Sequence, residues 1–225
     1  MCARYTLISE IPVIVEQFGV QEIEVEFRPR YNIAPTQQAP AIVNDGDNRL
    51  VQFRWGLIPS WAKDKSIGNK MINARAETLA EKPSFRQAFR KRRCIIPADG
   101  FYEWKKEGSG KVPYYIHLNT GKPFGIAGLY ETWTSPDGET LSTCTLITTE
   151  PNSFMQPLHN RMPVILPPDA YARWLDPANQ KTDELRTLLG PCPPGIMAAH
   201  AVSKTVNSPA NDIPECIEPA APKLF

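Results

Sequence analysis

The stretch CIIPADGFYEW, residues 94–104, contains two apolar runs separated by a short polar interruption. Isoleucine and aromatic residues dominate the runs, and Asp99 and Gly100 lie between them. This pattern predicts a strand, a turn and a second strand. Similar runs occur on both sides along the chain. They are APAIVN (39–44), LVQFRWGLI (50–58), VPYYIHL (112–118), FGIAGLYETW (124–133) and LSTCTLITT (141–149).

Helical patterns are few and short. The clearest is SEIPVIVEQFG (9–19), where Ser9 is expected to cap the helix and Gly19 to end it. Because the strands come mostly as hairpins and do not alternate with helices, we expect an α+β fold. Specifically, we expect a single domain over residues 1–225 with a curved, mainly antiparallel sheet flanked by short helices, and an extended tail at 215–225. Further short helices are expected within 71–93 and at 152–158, 168–175 and 182–190.

The composition is that of an ordinary soluble globular protein. The 225 residues are 42% hydrophobic and 22% charged, with a net charge of +1, so no global attraction to nucleic acid is indicated. The basic run RQAFRKRR (86–93) is a local exception. No leader or membrane-length apolar run is seen, so we expect a cytoplasmic protein, nucleoid-associated if bacterial, without membrane contact.

The five cysteines are an odd number at wide spacings, which argues against a disulfide framework or a zinc site. We therefore expect no metal and no cofactor. Cys94 and Cys144 lie in strand-like runs and are expected in the core.

Cys2 is different. If Met1 is removed, Cys2 carries a free α-amine and a thiol on adjacent carbons. Three other segments place reactive groups beside apolar runs: INARAE supplies Asn73 and Arg75, ADGFYEW supplies Glu103, and LHNRMPV supplies His159 and Arg161.

Each of these residues alone has an ordinary structural explanation, such as a frayed terminus, a helix cap, a surface ion pair or a helix-terminal cation. Together, Cys, Asn, Glu and His form a nucleophile, acid and base set. A papain-like protease places its Cys at a helix start and not at position 2. Two other classes stay open: an N-terminal nucleophile amidohydrolase or thiol peptidase, and a protein that uses the amine and thiol together against an aldehyde.

The segments MCAR, RYNIAPTQ, WGLIPSWAKD, INARAET, CIIPADGFYEWKK and LHNRMPVIL occur in this order. Through them the chain resembles the SRAP (SOS response-associated peptidase) family over nearly its whole length. The family usually has glycine where this chain has Ala3.

The resemblance implies a sensor of abasic sites in single-stranded DNA, including junctions with double strands, that acts as a monomer and crosslinks DNA through its N-terminal Cys. It implies that the active site comprises Cys2, Asn73, Glu103 and His159. It also implies that DNA-backbone contacts come from Arg4, Asn32, Arg75, Thr148 and Arg161, and that Trp104 lies beside the flipped-out site.

Two further tryptophans lie near these motifs. Trp61, in the long polar loop 59–70, is the better candidate for stacking on a base, whereas the strand context of Trp55 predicts a core residue.

The chemistry is consistent with the implied function. Glu103 can move the proton that opens the closed sugar. The α-amine, with a reference pKa of about 7.7–8.0, can form an imine, and the thiol, with a reference pKa of about 8.5, can close on the same carbon. His159 can shuttle protons, and Asn73 can hold the sugar or amine. Met1 could be removed by this site or by a methionine aminopeptidase.

Two rival functions predict different behaviour. An amidohydrolase would give no stable adduct with DNA that bears an aldehyde. A non-catalytic DNA-binding module would keep full function when Cys2 is changed to Ala.

Overall fold

The computed structural model describes residues 2–220. The helices are α1 (Ile11–Phe18), α2 (Arg86–Lys91), α3 (Tyr171–Leu175) and α4 (Thr182–Arg186). The strands are β1 (Tyr5–Leu7), β2 (Glu22–Ile23), β3 (Arg30–Ile33), β4 (Gln38–Asn44), β5 (Asn48–Trp55), β6 (Asn73–Arg75), β7 (Arg93–Ala98), β8 (Gly100–Glu107), β9 (Gly110–Leu118), β10 (Phe124–Thr134), β11 (Thr140–Thr149), β12 (Met162–Pro163), β13 (Ile165–Leu166) and β14 (Met197–Ala201).

The strands form two sheets. The smaller has five strands in the order β14-β9-β8-β1-β3. The larger has nine, with the main order β12-β11-β10-β7-β4-β5-β2, while β13 pairs with β10 and β6 pairs with β11. Most pairs are antiparallel, but β6 and β5 run parallel to β11, and β2 runs parallel to β5. The expected α+β class is confirmed, with the strands divided between two sheets.

The stretch 94–104 is where the chain passes from one sheet to the other. Strand β7 pairs with β10 and β4 in the larger sheet, whereas β8 pairs with β1 and β9 in the smaller. Between them, the Asp99 carboxylate accepts hydrogen bonds from the backbone N–H groups of Ile8 and Ser9 at 2.6 and 2.9 Å. These bonds tie the turn to the end of β1, so the two strands diverge and do not form a hairpin.

Two helix predictions need correction. Ser9 does not cap α1, because its hydroxyl donates to Asp99 at 2.5 Å and Glu10 occupies the N-cap position without a side-chain bond. Gly19 does end this helix, with a left-handed φ of 59°. Residues 152–158 form turns and no helix, and Pro157 lacks the N–H that a continuing helix would need.

Several burial predictions are confirmed. Cys94, Cys144 and Trp55 are fully buried, and Trp61 is exposed. The extended tail predicted over 215–225 is wrong at its start, because Pro214–Cys216 form a 3-10 turn, while Pro219 forms a β-bridge with Val202. Residues 221–225 lie outside the described residues. No helix within residues 2–220 is long and apolar enough to cross a membrane.

Candidate active site

The four expected active-site residues meet at the junction of the two sheets. The smaller sheet provides Cys2, just before β1, and Glu103 in β8. The larger sheet provides Asn73 in β6 and His159 in the turn before β12. Residues far apart in the chain are thus brought around the second residue.

Cys2 is fully buried. Its carbonyl accepts a hydrogen bond of 2.7 Å from the Asn73 side-chain amide, and its thiol lies 3.9 Å from the Arg4 carbonyl. Burial, and next the negative charge of Glu103, raise the pKa of the Cys2 thiol to about 12. The reference pKa therefore does not hold here, and the thiol is neutral at physiological pH.

Asn73 has a second feature that points to a ligand. Its side-chain oxygen is buried and accepts no hydrogen bond from the described residues, while its nitrogen holds Cys2. An unsatisfied buried acceptor is costly, so it marks a place where a donor belongs. The oxygen and the nitrogen of one amide group lie close together, so a donor that binds the Asn73 oxygen would lie beside the backbone of Cys2.

Glu103 lies on the inward face of β8 and is 3% exposed. Burial raises the pKa of its carboxyl to about 7. A carboxyl of this kind is present in both protonation states near neutral pH, as a group that must both give and take protons requires.

His159 lies beside this carboxyl, with its Nε2 3.9 Å from a Glu103 oxygen. Burial lowers the pKa of His159, which favours the neutral ring. Its Nδ1 is 3.0 Å from the Arg161 N–H, which can donate to it, and 3.2 Å from the Arg161 carbonyl, which can accept from it. Each protonation state of Nδ1 therefore finds a backbone partner, and this suits a proton shuttle.

A cationic group adjoins the histidine. The guanidinium of Arg161 donates to the Thr148 carbonyl at 2.6 Å and to both carboxylate oxygens of Glu77 at 2.5 and 3.0 Å. Thr148 itself is fully buried, and its carbonyl anchors the Arg161 guanidinium. Arg75 is exposed and pairs in register with Thr148, so two arginines border the active site on this side.

Three of the expected DNA contacts bind within the protein itself, to the segment 206–211 or to each other. They are Arg4, Asn32 and Trp104. The buried Asn32 amide donates to the carbonyls of Val206, Ser208 and Asn211, and its oxygen accepts from Arg4 at 2.7 Å. Its side chain thus holds the segment 206–211, and a contact of Asn32 with DNA stays a prediction.

Trp104 packs beside the same segment. Its indole donates to Asn207 at 2.8 Å, and the Arg4 guanidinium lies 5.7 Å from the ring centroid. Because successive residues of a strand point to opposite faces, Trp104 and Glu103 project to opposite faces of β8. The position of Trp104 beside a flipped-out site stays a prediction.

Trp61 stands apart from the cluster. It is 58% exposed, and no hydrogen bond or ring contact joins it to the other site residues among those described.

Sequence reasoning missed Glu77 and the segment 206–211. Glu77 lies within INARAET, but its partner Arg161 is 84 residues further on, so spacing gave no signal. Within residues 2–220 no group of His, Cys, Asp and Glu is arranged to hold a metal ion.

Comparison with known proteins gives consistent matches. Residues 1–209 match the SOS response associated peptidase (SRAP) family. YoqW of Bacillus subtilis, named an abasic site processing protein, is 53% identical over 222 residues, covering 97% of this chain and 99% of that protein. HMCES of Gallus gallus, with the same descriptive name, is 35% identical over 229 residues, covering 87% of this chain and 68% of that protein.

Solved structures agree. A crystal structure of a Bacteroides thetaiotaomicron protein superposes with a TM-score of 0.88 at 32% identity and covers 98% of this chain and 100% of that chain. One from Bordetella bronchiseptica gives a TM-score of 0.79 at 27% identity, covering 90% and 100%. With Asn73, Glu103 and His159 gathered around Cys2 and the family match spanning residues 1–209, the chain belongs to the SRAP family.

Proposed function

We propose that the protein is a covalent sensor of abasic sites in single-stranded DNA, in which Cys2 forms a thiazolidine with the opened deoxyribose after removal of Met1. The observation that carries this proposal is the buried Glu103 carboxyl beside Cys2, with the Nε2 of the half-buried His159 3.9 Å from a Glu103 oxygen. The names of the relatives, abasic site processing proteins, indicate the same substrate.

The first step is sugar opening. An abasic deoxyribose is mostly a closed hemiacetal, and a proton must leave its hydroxyl as the ring oxygen gains one. Glu103, with a pKa of about 7, can take the first proton as the carboxylate and give the second as the acid. The product is the free aldehyde.

The second step joins protein and DNA. The neutral α-amine adds to the aldehyde carbon, and loss of one water gives an imine. The sulfur then bonds to that carbon, the C=N electron pair moves to nitrogen, and the thiol proton ends on nitrogen. The five-membered ring that results is a thiazolidine, and the overall reaction is a condensation that releases one water.

The environment of the thiol favours assisted closure. Because its pKa is about 12, the thiol needs a base at the moment it attacks, and the Glu103 carboxylate is the neighbouring one. The orphan acceptor of Asn73 is placed to take a hydrogen bond from the freed amine. Holding amine and thiol at one carbon makes closure unimolecular, an advantage of several kcal/mol, about 7 or more in the best oriented reactions.

Closure also explains protection of the strand. The imine is the electron sink through which an abasic strand breaks by β-elimination, and thiazolidine formation removes it. Met1 must leave first, because a nitrogen in a peptide bond cannot form an imine. We propose that the site itself releases Met1 as a thiol autopeptidase or that an aminopeptidase does so.

The DNA partner is held through its backbone. Arg75 and Arg161 border the active site, so phosphates would be drawn to the reacting sugar despite the net charge of +1. We propose that the protein acts as a monomer and accepts single-stranded DNA, including junctions with double strands.

The serine variant of Cys2 tests the two-nucleophile chemistry. Cys2→Ser keeps the α-amine, so the imine should form, but a hydroxyl is a far weaker nucleophile than a thiol, and closure should fail. On a denaturing gel with abasic single-stranded DNA, we expect the wild-type adduct to survive heating without reductant. The serine variant should need borohydride for capture and should give more strand cleavage.

Intact mass must first show that Met1 is absent from both proteins. An unreduced serine adduct as heat-stable as the wild-type adduct would exclude thiol closure. Absence of any wild-type adduct would favour the amidohydrolase alternative.

A further inference from the structure

The Arg161 guanidinium is already bound to an anion in this structure. Its two terminal nitrogens face the two carboxylate oxygens of Glu77 at 2.5 and 3.0 Å, the bidentate arrangement that arginine also forms with phosphate. A DNA phosphate that approaches this edge of the guanidinium therefore meets a competitor from the same chain.

The two partners of this ion pair are held very differently. The Arg161 side chain is 15% exposed and is anchored by the Thr148 carbonyl at 2.6 Å. The Glu77 side chain is 51% exposed and follows the three-residue strand β6 in a short 3-10 turn, Ala76–Thr78. The exposed Glu77 carboxylate can turn into water at little cost, whereas Arg161 would lose its hydrogen bond to the carbonyl of the buried Thr148.

We propose that Glu77 is a placeholder for a DNA phosphate: it occupies Arg161 in the free protein and is displaced when the backbone binds. This inference rests on the proposed function, in which Arg161 contacts the backbone. It adds a residue that sets DNA affinity by competition and so limits retention on undamaged single strands.

The pKa of Glu77 supports this assignment. The hydrogen bond from Arg161 holds the pKa of Glu77 below its ordinary value, so the carboxylate is ionised throughout the physiological range. Competition should therefore be present at every pH at which the protein works.

The proposal has a distinct consequence for salt dependence. When a phosphate replaces Glu77 on Arg161, the phosphate releases its counterion but the freed carboxylate attracts a cation, so the net release is small. Without the Glu77 carboxylate, the contact between Arg161 and a phosphate should release a counterion with no compensating uptake. It should therefore make the slope of log K against log salt steeper by about 0.7 for a single strand.

The test uses Glu77→Gln, which keeps the size and a hydrogen-bonding oxygen but removes the charge. The control is Glu81→Gln, which makes the same charge change at a 72%-exposed side chain with an Arg186 nitrogen 4.0 Å from its carboxylate. Fluorescence anisotropy with an undamaged single-stranded oligonucleotide measures binding without crosslinking. We expect Glu77→Gln to bind about fivefold more tightly with a steeper salt slope, and Glu81→Gln to change affinity less than about twofold.

A second variant, Arg161→Lys, separates the placeholder role of Glu77 from the proposed contact of Arg161 with the DNA backbone. Arg161→Lys keeps the charge but loses the bidentate edge, so it should weaken binding and abolish the gain from Glu77→Gln. If Arg161→Lys leaves binding unchanged, the backbone role in the proposed function fails. If it weakens binding but Glu77→Gln also weakens it, while thermal melting shows both variants folded, Glu77 merely positions Arg161 and the placeholder inference is overturned.

Discussion

At the scale of the residue, burial changes the chemistry of familiar groups. The Glu103 carboxyl has a pKa of about 7, and the Cys2 thiol one of about 12, because both are removed from water. A neutral thiol is a weak nucleophile, so under the proposed function Cys2 needs the neighbouring carboxylate as a base.

Glu103→Gln tests this activation. The amide cannot exchange protons, so crosslinking of abasic DNA should slow by about 10²-fold or more. The wild-type rate should rise with pH through about 7, the pKa of Glu103, whereas the variant should keep only the rise due to the amine, with a reference pKa of about 7.7–8.0. Single-turnover rates from pH 5.5 to 9 measure both effects.

Glu107→Gln is the matched control, because Glu107 lies on the same strand and on the same face as Glu103 but is exposed. It should behave as wild type. An unchanged rate in Glu103→Gln would assign ring opening to another group.

The sequence predicts the chemistry of single residues but not the contacts that their side chains make. Residue type indicates what chemistry Cys2, Asn73, Glu103 and His159 can perform, and the fold does bring these four together. Residue type does not show which carbonyl groups a side chain will meet, so nothing in the sequence indicated that Asn32 is buried and holds the segment 206–211.

At the scale of the element, strand periodicity sorts the functional groups. In β8, Phe101 and Glu103 face the main core and the active site, while Tyr102 and Trp104 face the second core cluster. In β6, Ala74 is buried while Asn73 and Arg75 share the other face, one toward Cys2 and one toward solvent. This alternation was predictable, whereas the pairing of β6 with β11 joins residues more than 70 positions apart and was not.

The exposed end of β6 leads to a second prediction about DNA. Arg75→Ala should weaken binding of undamaged single strands of all sequences alike and reduce the salt slope by about 0.7, because a phosphate contact carries no base information. Anisotropy titrations over several oligonucleotide sequences and salt concentrations provide the measurement. Arg173→Ala, at an exposed arginine of α3, is the control. A defect confined to certain sequences would mean that Arg75 reads bases.

At the scale of the whole molecule, the candidate active site lies at the junction of the two sheets. The hairpins β4–β5 and β10–β11 follow from their turn signals. The division into two sheets does not, because the stretch 94–104 has the sequence of a hairpin. Its two strands are separated by the bonds from Ile8 and Ser9 to Asp99 and by pairing with strands that lie far away in the chain. Contacts between distant segments decide such a choice, and a local pattern does not contain them.

Placing a carboxyl at this junction should cost stability. The pKa of Glu103 rises from 4.5 to about 7 on folding, so the folded state holds its proton more tightly than the unfolded state. Below about pH 4.5 the group is protonated in both states and costs nothing. Stability is then lost as pH rises toward 7, and above 7 the full penalty, about 3 kcal/mol at most, is present.

Glu103→Gln should therefore be more stable than wild type, but only at high pH. We expect nearly equal melting temperatures at pH 4.5 and a variant that melts several degrees higher at pH 8, since about 1 kcal/mol corresponds to about 2–4 °C in a chain of this size. Calorimetric melting of both proteins across this range measures the difference, in which other titrating groups cancel. Glu107→Gln should show no such pH-dependent gain. A difference that stays constant with pH would mean that folding does not raise the pKa of Glu103, and the acid–base role assigned to this carboxyl would lose its physical basis.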